Sequence, residues 1–163
     1  MTPRRTPSTA MMHKISLPLC AVLVLAACGG DDREKAAQRT AAQRAACVAE
    51  ELAIQANSKV SALDTLRARA PEGFVNQVYP FSKAYFDYAK VRERHAALLD
   101  SAAAAESAED SVRFTGEAAR IAPRPGKPGS TEANAAESYE RDYAAAISNP
   151  DHPCNQQGGQ EEK

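Results

Sequence analysis

Adjacent carboxylates, three histidines, five tyrosines and four cysteines are the side chains with which this chain could do chemistry. The acid pairs Glu50-Glu51 and Glu109-Asp110 would suit general acid–base work, but a catalytic carboxyl needs a cleft that perturbs it. Both pairs stand in polar, alanine-rich stretches of helical character and read as solvated faces. Tyr79, Phe81, Tyr85, Tyr88, Tyr139 and Tyr143 could form a ligand-binding face, although aromatic residues at helical spacing also read as core. The chain has no glycine-rich phosphate loop, haem-attachment motif, Gly-x-Ser-x-Gly elbow or His-Glu-x-x-His. The expectation is a non-enzyme with no catalytic residue and no cofactor.

The cysteines are Cys20, Cys28, Cys47 and Cys154, and the first two lie in an unusual stretch, "MMHKISLPLCAVLVLAAC". Lys14 gives it a basic start, an apolar run follows from Ile15 to Ala27, and small residues lead into Cys28. A basic start, a short apolar run and a small-residue exit read as a secretory signal. The run is too short to span a bilayer, which takes about 20 apolar residues, and Pro18 interrupts it. The exit Leu25-Ala26-Ala27-Cys28 resembles the lipobox of bacterial lipoproteins. That resemblance implies cleavage before Cys28, acylation of its sulfur and new amino group, and stable anchoring through two or more chains. It makes residues 1–27 a signal peptide, with 1–10 read as untranslated leader before Met11 or Met12. Residues 28–30 become the anchor and its spacer. Because Gly29, and not an acid, follows the cysteine, the resemblance also implies the outer membrane, facing the periplasm.

On that reading Cys20 leaves with the signal and Cys28 is acylated, so Cys47 and Cys154 remain. Export implies an oxidising compartment, where two leftover cysteines pair. Two free thiols are one alternative. The other is a zinc site in which His152 and His95 join the two cysteines, but no pair has the usual close ligand spacing, and no metal is expected.

Removing residues 1–27 takes three basic residues and no acids, so 17 bases face 21 acids and the net charge is −4 over 136 residues. Nucleic-acid binding needs clustered Lys and Arg, so no nucleic-acid partner is expected. One domain fits this length. The chain is rich in alanine and has no tryptophan, a composition that favours helix but buries little apolar area.

The elements that must position these residues follow from spacing and punctuation. Asp31 and Glu34 suggest an acidic capping box opening a helix that runs to Ala70, about 40 residues long. Its inner stripe reads Ala41, Ala45, Val48, Leu52, Gln55, Lys59, Leu63, Leu66, Ala70. "APEGFVNQVYP" reads as a turn between Pro71 and Pro80, and a second helix is expected from Phe81 to Asp110. "VRFTGEAARI" reads as a short helix broken at Gly116. "APRPGKPGS" marks a flexible surface linker, and a third main helix is expected from Thr131 to Asn149 with Ser130 as its cap. The predicted fold is all-α: a three-helix up-down-up bundle over residues 31–154, stapled by one disulfide, with 155–163 a disordered tail. The function expected is a membrane-anchored, non-catalytic lipoprotein that binds or braces another protein of the cell envelope. Alternatives are an immunity or exclusion-type inhibitor and a binder of small ligands.

Overall fold

Alanine's helix propensity and well-placed stop signals decide the architecture. In the computed structural model, which describes residues 32–70 and 73–156, five helices follow one another. They are α1 (Asp32–Arg69), α2 (Phe74–Ala104), α3 (Ala108–Arg120), α4 (Thr131–Ser148) and the single turn α5 (Pro153–Gln156). No strand occurs among the described residues. The fold class is therefore all-helical, as the composition leads one to expect. Cys28 and the rest of the expected signal and anchor lie outside the described residues, as do the Asp31 cap and residues 157–163.

α1 matches its expected length, at 38 residues or about 57 Å. Its inner seam differs from the expected stripe. Val48, Ala49, Ala53, Ala56 and Val60 are buried, while Gln55, Lys59 and Leu66 face solvent. The buried row keeps helical spacing but turns onto the small residues, because alanine lets a second helix backbone come close. In a chain where alanine is everywhere, that preference leaves little mark on the sequence.

α2 begins seven residues before its expected start and ends six before its expected end. Gly73, at φ 137°, provides the turn into the helix, and Pro80 is accommodated within it. The end is set by Ser107, whose hydroxyl accepts from Asp110 N at 3.0 Å and donates to Asp110 Oδ2 at 2.8 Å. This N-cap, with both bonds made by the Ser107 hydroxyl, opens α3 and separates it from α2. α3 then continues unbroken through Gly116, so the expected broken segment is a 13-residue helix and the described residues form four helices longer than a turn.

Gly129, at φ 81°, takes the left-handed turn into α4 that suits glycine, and Ser130 Oγ caps the helix by accepting from Ala133 N. The segment expected as a flexible linker folds back here. A Cβ on Gly126 would lie 2.7 Å from Glu132 Cβ and 2.9 Å from Ser130 Oγ. At the other end of α4, Asn155 Nδ2 lies within 3.2 Å of the carbonyl oxygens of Ala146, Ile147 and Asn149. Helix-end carbonyls need such donors. Asn155 and Gln156 thus belong to the folded unit and not to the tail in which the sequence reading placed them.

α2 packs against α1, α3 and α4, and α1 also meets α4 and α5. The core is thin: apart from Tyr139 and Val48, the fully buried side chains are small.

Candidate functional site

Two places gather the chemistry-bearing residues. The first is the aromatic cluster between α2 and α4. Tyr139 is fully buried against Ala53, Ala56 and Ala89, with Leu52, Tyr85, Phe86, Tyr88 and Tyr143 around them. Its ring lies 5.5 Å from that of Tyr85, 5.4 Å from Tyr88 and 6.2 Å from Tyr143. The expected binding face is therefore divided. Tyr139 belongs to the core because it is the largest apolar body facing the alanine seam, and Tyr85, Tyr88 and Tyr143 pack against it. Phe81 remains 39% exposed. Tyr79 lies apart, under the Arg67 guanidinium at 5.0 Å and hydrogen-bonded to Asp64, on an open groove that Lys83 and Arg124 also line.

Charged residues of α4 hold the rim of this cluster. Tyr85 donates to Asp142 Oδ2 and Tyr88 to Glu140 Oε1, each at 2.8 Å. Arg92 approaches Glu140 with Nε 2.9 Å from Oε1 and donates from Nη2 to Oε2 at 3.1 Å, while its guanidinium stacks 4.9 Å from the Tyr143 ring centre. Burial is the main reason that the Tyr85, Tyr88, Tyr139 and Tyr143 hydroxyls are held above the usual phenol range. Accepting carboxylates add to this at Tyr85 and Tyr88. His95 shifts downward, first through burial and then through the positive charge of Arg92, with Glu140 opposing. These groups are tied to one another, which is the behaviour of a packed interface more than of a ligand cleft.

The second place is the disulfide corner. Cys47 and Cys154 are bonded, their Cα atoms 5.7 Å apart across a sequence separation of 107. The pairing expected from the sequence is present. Glu51, one turn beyond Cys47, shares its face of α1. Its Oε2 lies 3.4 Å from His152 Nε2 and 3.9 Å from Cys154 Sγ. His152 Nδ1 accepts from the Cys154 backbone N–H at 3.3 Å. Ligand atoms of Glu51, His152 and Cys154 all lie within 4.8 Å of one another. Sequence reasoning treated Glu50-Glu51 as one solvated pair; the fold leaves Glu50 exposed and turns Glu51 toward the sulfurs. The i, i+4 spacing from Cys47 was the available signal. Of the four residues of the zinc alternative, Cys47, Cys154 and His152 meet here, whereas His95 stands beside Arg92 and Glu140.

No protein-family model matches the chain, and no curated protein or solved structure matches it either. No helix among the described residues is long and apolar enough to cross a membrane.

Proposed function

We propose that the chain is a non-catalytic lipoprotein, anchored through Cys28 to the periplasmic side of the outer membrane, that braces or binds another envelope protein. The observation that carries this reading is Leu25-Ala26-Ala27-Cys28 at the end of a basic-then-apolar stretch, followed after a short spacer by a 38-residue helix. Support also comes from the first turns of α1. From Asp32 to Arg44 its described side chains are nearly all exposed, as in a post whose packing begins further up. In this reading α1, α2 and α4 run up, down and up as a three-helix bundle, with α3 as a side brace on α2. The short connection before Gly73 favours antiparallel α1 and α2, and the Cys47–Cys154 bond ties the end of α4 to α1.

Cys28→Ser tests the anchor. Cells producing the full chain would be fed a labelled fatty acid and then fractionated. The native chain should carry label and sediment with membranes; the variant should carry none and leave the membrane fraction or accumulate at precursor size. Undiminished label on the variant would remove the anchor and the function built on it.

A further inference from the structure

We propose that reduction of the Cys47–Cys154 bond converts the disulfide corner into a site for one thiophilic divalent cation, zinc by preference. Its ligands are Cys47 Sγ, Cys154 Sγ, His152 Nε2 and a Glu51 carboxylate oxygen. Zinc binds sulfur at about 2.3 Å and nitrogen or oxygen at about 2.0–2.2 Å, so neighbouring corners of its tetrahedron lie about 3.3–3.8 Å apart. Two edges stand close to those lengths already, at 3.4 Å for Glu51–His152 and 3.9 Å for Glu51–Cys154. The missing change is between the sulfurs, which must part from bonding distance to about 3.7 Å. Side-chain rotation on two backbones whose Cα atoms are 5.7 Å apart supplies that movement. Two thiolates with one imidazole select zinc-like metals over calcium or magnesium, which prefer oxygen.

The chemistry balances with a dithiol as reductant. The dithiol gives two electrons and two protons to the sulfur–sulfur bond and leaves as its own disulfide, while Cys47 and Cys154 become thiols. Zinc then displaces both thiol protons into solvent. His152 moves its ring proton from Nε2 to Nδ1 and gives up the long 3.3 Å bond from the Cys154 N–H. Two thiolates, one carboxylate and a divalent ion leave the site at −1. Its environment suits a bound ion: Cys154 is 3% exposed, and the His152 side chain 15%. The same two segments are then held together in either redox state, by a covalent bond in one and by a metal in the other.

The test uses the full chain carrying Cys20→Ser and Cys28→Ser, so that only Cys47 and Cys154 can supply thiols. After reduction with dithiothreitol and anaerobic desalting, it is titrated with Co²⁺ alone and then Zn²⁺ alone. One Co²⁺ per chain should bind, with thiolate charge-transfer absorption and the strong visible bands of tetrahedral cobalt, and equimolar Zn²⁺ should displace it. The oxidised chain should show neither. His152→Ala and Glu51→Ala should each weaken zinc binding by about tenfold or more, while their oxidised forms keep the disulfide and the helical circular dichroism. Three results would overturn the proposal. They are no tetrahedral cobalt spectrum, zinc affinity in both single variants unchanged from that of the chain with Glu51 and His152 intact (two thiols chelating alone), or a reduced chain that loses its helix and does not regain it with zinc.

Discussion

Tyr139 places its ring at the centre of the aromatic cluster, yet its hydroxyl is buried without a hydrogen-bond partner among the described residues. Tyr88, in contact with the same ring, spends its hydroxyl on Glu140. The two tyrosines should therefore respond oppositely to loss of the oxygen. Tyr139→Phe relieves an unsatisfied group and is expected to leave stability unchanged or raise it by up to about 1 kcal/mol. Tyr88→Phe removes a bond to a charged acceptor and should cost about 1 kcal/mol. Urea unfolding of the two variants checks this, and equal losses would mean that the Tyr139 hydroxyl is satisfied after all. That the tyrosines pack was legible from their spacing. Which one goes to the centre was not, since it depends on α4 meeting an alanine seam on α1 and α2 that only the fold assembles.

At the scale of elements, the helices that announce their ends were readable and the others were not. Ser130 before Thr131 and Pro150 beyond Ser148 bracket α4 almost to the residue. Ser107-x-x-Asp110 is an equally plain cap, but the alanine run Ala102–Ala105 just before it, which reads as continuing helix, hid it. Pro80 misled in the other direction, because a single proline near the start of a helix can be absorbed when the packing beyond it is strong. That packing rests on closeness. Ala89 is 0% exposed and faces the small residues of α1, so Ala89→Leu should force the helices apart and destabilise by about 1–3 kcal/mol. Ala62→Leu, on an exposed position of α1, is the control and should be nearly neutral. Thermal melts of the pair decide it; if both leucines are tolerated alike, the α1–α2 contact is looser than its burial implies.

For the whole molecule, a thin core makes the staple a large share of stability. Closing a loop of about 100 residues is worth up to ~4.7 kcal/mol in the chain-entropy account, and native bonds more commonly deliver about 2–4. Against a net stability of about 5–15 kcal/mol, that is a decisive fraction. Cys154→Ser should lower the melting temperature by on the order of 10 °C, read by circular dichroism in metal-free buffer. A shift of a degree or two would show that helix packing alone carries the fold. The bond itself was legible from counting cysteines. Its neighbours Glu51 and His152 were not, because they stand 101 residues apart and only the closed fold brings them level.

The same bond also decides how the molecule carries a pull. Tension applied between Asp32 and Gln156 enters along the exposed first turns of α1, reaches Cys47, crosses to Cys154 and leaves through α5. The loop between the cysteines lies outside that path and bears no load. The bundle is thus shielded from being drawn out like a thread, and among the described residues the helical stretches left to yield are the foot of α1 and the end of α5. Cutting the bond would put 107 residues back in series, about 350 Å or more of additional extended length. With the bond intact, the stretch from Cys47 to Cys154 acts as a short, nearly inextensible link.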